Sequence, residues 1–429
     1  MASLLIHGGR IVDPSQGLDG PADLLIEDGA VARIDGKIAK PKGVETLDAT
    51  GLVVTPGLID IHVHLREPGQ EYKETVATGT RAAAAGGFTA VACMANTVPV
   101  HDNRAITELI LLEAERAGFA RVYPIGAISK GMQGQELAEI GEMVAAGAVA
   151  VSDDGLPVMN AELMRRALLY TQHYGIPVIQ HAEDLTLTGK GVMHEGEWST
   201  RLGLIGIPGS AEDVMVARDL ILTEDTQGRY HVAHLSTARS LDLVRLGRSR
   251  GLRVTCEVAP HHLILTDEEV AKTGFSTHCK MKPPLRSSRD REALIQGLVD
   301  GTVDCIASDH APHHADEKDV EFDKAPFGIL GLETTLSLCL DRFVHAGLLT
   351  LPRLVELLST GPARVLGLPG GTLQVGSPAD VSIFDLDGEV TIVAADFRSK
   401  SRNTPFDGWT LRGRPVATVL GGRKVSPLP

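Results

Sequence analysis

From Pro56 to Arg364 short apolar runs alternate with longer stretches of helical spacing, and this regularity limits the fold more than any other feature of the chain. The runs are LIDIHV, FTAVACM, RVYPIGAI, AVAVS, IPVIQ, RYHVAHL, LRVTCEV and VDCIAS. Between them, YKETVATGTRAAAAGG, RAITELILLEAERAG, NAELMRRALLYTQHYG and AEDVMVARDLILTED place apolar residues at helical intervals. Eight strand–helix units over about 310 residues match a (β/α)8 TIM-like barrel, with a doubly wound open sheet as the alternative.

The two ends read differently. LLIHGGRIV, ADLLIEDGAVARI and TLDATGLVV near the start, and DVSIFDLDG, VTIVAAD and PVATVLGGRKV near the end, are short strands broken by Gly, Asp and Pro. Neither end has much core to bury alone, so residues 1–55 and 365–429 are expected to form one small discontinuous β domain beside a barrel of residues 56–364. No apolar run approaches the roughly 18 residues of a membrane span, and MASLLIHGGR is a poor signal peptide, so a cytoplasmic protein is expected. A formal charge of −14 without a basic cluster argues against nucleic-acid binding. The five cysteines are scattered with no CxxC pair, which suggests reduced thiols.

A barrel carries its chemistry at the C-terminal ends of its strands. There the chain places His62, His64 and Arg66 after strand 1, Asn96 after strand 2, Asp153 and Asp154 after strand 4, and His181 after strand 5. His234 follows strand 6, and Asp309, His310, His313 and His314 follow strand 8. Lys130 and the pair His261–His262 are weaker candidates at strands 3 and 7. His62 and His64, two apart on a strand, would point the same way. His231 and His234, three apart, would not, and His231 and His173 read as packing or surface residues. His181 shares a face with Ile179 and Glu183, the latter a partner for the ring. Any one histidine alone suits a structural role, but together with the carboxylates they suit Zn²⁺, Mn²⁺ or Co²⁺. Sequence spacing leaves open which of Asp153 and Asp154 takes part.

This arrangement resembles the amidohydrolase superfamily, and DIHVHLREPG, MANT, SDDG, GEWSTRLGLIGIP, KMKPPLR and SDHAPH look like the bacterial class I dihydroorotase family. The resemblance implies that His62, His64 and Asp309 hold one metal, His181 and His234 a second, and Asp154 bridges them, with one or two Zn²⁺ per subunit. It further implies that Asp309 is the general acid/base, and that Arg66, Asn96 and His313, with the backbone of Phe327 and Gly328, bind substrate; His64 adjoins the same place. The family motif usually reads MNPPLR; here Lys282 replaces the asparagine, a cation that cannot accept a hydrogen bond. The implied reaction is reversible hydrolysis of (S)-dihydroorotate to N-carbamoyl-L-aspartate in pyrimidine biosynthesis. The rivals are another cyclic amidase, hydantoinase or allantoinase, and a non-catalytic scaffold for aspartate carbamoyltransferase. A homodimer is expected, and a complex with that transferase is compatible with catalysis. Two long insertions, after strands 5 and 8, are expected at the barrel mouth, the second either a lid or a solvated loop.

Overall fold

The computed structural model describes residues 3–426. β1 (Leu4–Asp13), β2 (Leu18–Glu27), β3 (Ala30–Asp35), β4 (Glu45–Asp48) and β5 (Val53–Pro56) open the chain. β6 (Leu58–Val63), β7 (Phe88–Cys93), β8 (Arg121–Gly126), β9 (Ala150–Val151) and β10 (Val178–Gln180) follow. After a small pair, β11 (Met193–His194) and β12 (Gly206–Ile207), come β13 (Tyr230–Val232), β14 (Val254–Val258) and β15 (Cys305–Ile306). β16 (Val381–Thr391), β17 (Thr410–Leu420) and β18 (Arg423–Ser426) end it.

One sheet runs β18-β17-β16-β5-β1-β2-β3, with β4 beside β1, so the two ends of the chain share it. The joint is β16 against β5, antiparallel, with Val381 opposite Pro56. Ile6, Ile11, Leu24 and Ile26 from one end pack with Val381, Ile383 and Val419 from the other. Each such buried side chain contributes roughly 1.5–3 kcal/mol, which neither end could collect without its partner. Gly57 carries the chain from this sheet to the next, and a Cβ there would lie 2.0 Å from Thr89 Oγ1.

β6 to β10 and β13 to β15 form the parallel (β/α)8 barrel, in the order of the eight apolar runs. Its seam lies between the first and last strands. Val63 bridges His310, the N–H of His64 donates to the His310 carbonyl at 2.9 Å, and the buried Asp60 carboxylate accepts the N–H of Ser308 at 3.1 Å. Helices cover the outside. Arg104–Ala117 shows why they form where they do: Asn103 Oδ1 caps the N–H groups of Ala105 and Ile106, Ile106, Ile110 and Ala114 face inward, and Gly118 ends the helix at φ 64°. Among the described residues no helix is long and apolar enough to cross a membrane.

The insertion after β10 packs Met193, Trp198, Leu202 and Leu204 against Met281, Ala311, Phe322 and Ile329, roofing part of the barrel mouth. The segment after β15 is fastened down rather than solvated throughout: the buried Lys318 ammonium donates to the carbonyls of Thr277 and Pro326 at 3.0 and 2.7 Å. All five cysteines are buried free thiols.

Candidate metal centre

β9 is only two residues long, and Asp154 follows it into the barrel mouth. Asp154 Oδ1 lies 3.2 Å from His234 Nε2 and 3.4 Å from His181 Nδ1; Oδ2 lies 3.3 Å from His62 Nε2 and 3.4 Å from His64 Nε2. Asp153 points the other way, accepting the N–H groups of Ile128 and Ser129 at 2.8 and 3.0 Å and the Ser129 hydroxyl. Asp309 Oδ1 completes the group, 3.2 Å from His64 Nε2 and 3.5 Å from His62 Nε2.

His62 and His64 face the same space, ring centroids 5.5 Å apart, as their two-residue spacing predicts, with Val63 and Leu65 turned into the outer core. The pairing of β6 with β7 shifts register between Asp60 and Val63, and His64 lies beyond the strand. Arg66 follows at φ 63°, His234 has φ 32° and Asp309 φ 48°. Such left-handed turns at non-glycine residues cost roughly 1–3 kcal/mol each and persist only where surroundings hold them.

The donor set fits a divalent cation. Ligand-type atoms of His62, His64 and Asp309, and of His62, Asp154 and His234, each fall within 4.8 Å of one another. His62 Nε2 is buried without a hydrogen-bond partner while it faces two carboxylates. Burial opposes a charged His62, yet Asp154, Asp309 and Glu257 outweigh it and raise its pKa well above the ordinary value. Burial likewise opposes an ionised Asp154, and the surrounding histidines hold its carboxyl well below the usual range. The pocket therefore calls for positive charge, which bare imidazoles meet only by taking up protons.

Outer partners set the tautomers. His62 Nδ1 lies 2.5 Å from Glu257 Oε1, His64 Nδ1 2.8 Å from Asn96 Oδ1, and His181 Nε2 3.1 Å from Glu183 Oε2. Oxygen acceptors on those sides leave the inward nitrogens of the three rings free to bind a cation.

Beside this cluster opens a cleft of about 300 Å³ lined by His64, Arg66, Asn96, Asp154, Lys282, His313 and Phe327 among others. Arg66 is buried, its pKa lowered to about 10 by that burial, against the pull of Asp309 and Asp154. Its Nε donates to the Pro312 carbonyl at 3.2 Å, leaving the far edge of the guanidinium for a ligand. His313 Nε2 donates to the Phe327 carbonyl at 2.8 Å, and burial followed by Arg66 and Lys318 lowers its pKa to about 2, so the ring is neutral. Gly328 packs so tightly on His313 that a Cβ would lie 2.6 Å from its ring, and its N–H is taken by the Lys280 carbonyl at 2.9 Å. Lys282 pairs with Glu183 at 3.1 Å and stands 5.2 Å from the Phe327 ring centre.

The other candidates lie elsewhere. Lys130 and His173 are exposed, and His262 Nε2 bonds the Pro283 carbonyl at 2.9 Å. His310 binds Glu74 at the seam, and His314 caps the short helix Ala315–Lys318. Glu257 was not foreseen, nor was Asn403, whose Oδ1 accepts the His313 N–H at 3.1 Å and whose Nδ2 donates to Ala311 and Gly328. Glu257 lies within a strand-like run, and its acidic side chain amid apolar neighbours was the one signal available.

A family model described as dihydro-orotase-like matches residues 51–240. The chain is 59% identical over 422 residues to the dihydroorotase of Anaeromyxobacter dehalogenans (strain 2CP-C), covering 98% of this chain and 97% of that one. It is 54% identical to the dihydroorotase of Geobacter metallireducens, covering 99% of each. Among solved structures, L-hydantoinase (dihydropyrimidinase) from Arthrobacter aurescens superposes with a TM-score of 0.87 at 29% identity, covering 99% of this chain and 96% of that one. D-hydantoinase (dihydropyrimidinase) from Thermus sp. follows with a TM-score of 0.83 at 27% identity, covering 98% and 94%. Barrel, end-built sheet and histidine–carboxylate cluster are together those of the metal-dependent cyclic-amide hydrolases of the amidohydrolase superfamily. Within that class, the chain belongs to the dihydroorotase family.

Proposed function

We propose that this chain is a class I dihydroorotase that interconverts (S)-dihydroorotate and N-carbamoyl-L-aspartate, the closing direction serving pyrimidine biosynthesis. The observation that carries this reading is Arg66, a buried guanidinium with an uncommitted edge beside the histidine cluster. A planar fork suits the exocyclic carboxylate of dihydroorotate, which hydantoin lacks. Full-length similarity to curated dihydroorotases supports it, whereas a hydantoinase reading would leave Arg66 without a task.

In this reading residues 56–364 are the catalytic barrel, and 1–55 with 365–429 the small β domain. His62, His64 and Asp309 would hold one Zn²⁺ and His181 and His234 a second, with the Asp154 carboxylate available to both. When bound, zinc supplies Lewis acidity and brings the pKa of water from 15.7 to about 7. Asp309 takes the proton of the attacking water and hands it to the departing ring nitrogen as the carbon–nitrogen bond breaks. Arg66 and the amide of Asn96 grip the carboxylate, while His313 and the backbone of Phe327 border the ring. Lys282 adds a second cation to the cleft. Ring closure turns a carboxylate into a neutral amide and consumes a proton, so lower pH favours dihydroorotate whatever the catalyst does.

The test is a side-by-side assay of dihydroorotate, hydantoin and allantoin with metal content measured on the same samples. Turnover of dihydroorotate alone is expected; faster turnover of hydantoin would reverse the assignment. Sedimentation tests the homodimer, and co-elution tests association with aspartate carbamoyltransferase.

A further inference from the structure

β14 ends without sending a residue into the cleft, yet Glu257, its penultimate residue, is buried directly behind the histidines. Its Oε1 lies 2.5 Å from His62 Nδ1 and also accepts the backbone N–H of His234 at 3.2 Å. Its Oε2 lies 3.2 Å from His231 Nε2, and His231 Nδ1 is held 2.8 Å from Thr255 Oγ1. A single carboxylate oxygen thus touches both halves of the centre: His62, grouped with His64 and Asp309, and His234, which shares Asp154 Oδ1 with His181, their inward nitrogens 2.9 Å apart.

Two consequences follow from that placement. An anionic acceptor at Nδ1 keeps the His62 proton on the outer nitrogen and strengthens Nε2 as a donor toward the centre. The bond to the His234 N–H falls on a residue in the left-handed region, where a charged acceptor is of the strength needed to hold a strained turn. His231 keeps the carboxylate in place by occupying its other oxygen.

We propose that Glu257 is a positioning residue that couples the two halves of the metal centre, fixing the His62 ring and the His234 backbone through one oxygen. This rests on the reading above that the histidines bind metal. It goes further in making ion binding in both halves depend on a side chain that touches neither ion.

The experiment is a Zn²⁺ titration in competition with a chelator, run on the unaltered protein and on Glu257→Gln, with melting of the metal-free forms recorded beside it. Every ion that the unaltered protein binds is expected to bind about 10- to 100-fold more weakly in the variant, with kcat falling more than KM. Unchanged affinity for any of those ions overturns the coupling, and so does a lower melting temperature with affinity intact, which would make Glu257 a support of the fold alone. Should Glu257→Gln fail to fold, Glu257→Asp reads the same quantity, since the shorter chain cannot reach His62 and His231 together. An unaltered protein that binds no ion defeats the earlier reading instead.

Discussion

Lys282 Nζ lies 3.1 Å from Glu183 Oε2, the same oxygen that holds His181 Nε2 at 3.1 Å. The ammonium lines the cleft and keeps donors free for a ligand. N-carbamoyl-L-aspartate carries two carboxylates and dihydroorotate one. Lys282→Met is therefore expected to raise KM about 10-fold for the open compound and much less for the ring, at about 1.4 kcal/mol per tenfold. Steady-state kinetics in both directions checks this, and equal changes in the two KM values would remove Lys282 from substrate selection.

Arg66→Met is expected to raise KM for dihydroorotate roughly 10- to 100-fold, the loss of a charged hydrogen-bonded pair being about 1.5–3 kcal/mol. Metal content should not change, since Arg66 bonds the Pro312 carbonyl and no histidine. Kinetics and elemental analysis on one preparation separate the two effects.

The neighbouring aspartates should behave in opposite ways. Asp154→Asn removes charge from between four histidines and should release metal. Asp153→Asn loses only part of its bonding to Ile128 and Ser129 and should cost about 1–3 kcal/mol of stability with metal retained. Asp309→Asn should keep some metal yet lose about 10²–10⁴ in kcat in both directions. Metal retention by Asp154→Asn would show that another residue bridges the halves.

Lys318 gives the fold a pH dependence on the alkaline side. Burial, then Lys280, lowers its pKa to about 7, whereas an unfolded lysine titrates near 10.4. Between those values the unfolded chain binds more protons, so stability rises with pH from about 7 to 10. Lys280, lowered to about 8 by burial, adds to the trend. Lys318→Met should melt lower at neutral pH, because the Thr277 and Pro326 carbonyls lose their donor, and should show a shallower rise toward pH 10. Melting curves of both proteins across that range decide it; parallel slopes would rule Lys318 out as the source.

The barrel was legible because parallel strands buried on both faces must be written in continuous apolar residues, and β6 to β10 and β13 to β15 fall on the runs that show it. The histidines stood out because imidazoles at strand ends have little use in a core. Choosing between Asp153 and Asp154 was beyond reach, since β9 is too short for alternation to be counted past its end. Glu257 was hidden inside VTCEV, where nothing local says that its partners come from β6 and β13. Asn403 was further out of reach: it steadies His313 from 90 residues away, through a loop with no pattern of its own.

The seam between β6 and β15 has a bearing on how the protein comes into being. His64 and Asp309 are 245 residues apart in sequence, and the bonds that bring them together join the first barrel strand to the last. A growing chain on the ribosome holds a pair of chelating imidazoles long before it holds the aspartate that completes their group. Until nearly three quarters of the polypeptide has been made, any ion those histidines capture is held without Asp309, and fragments ending short of β15 should be inert however well their helices form.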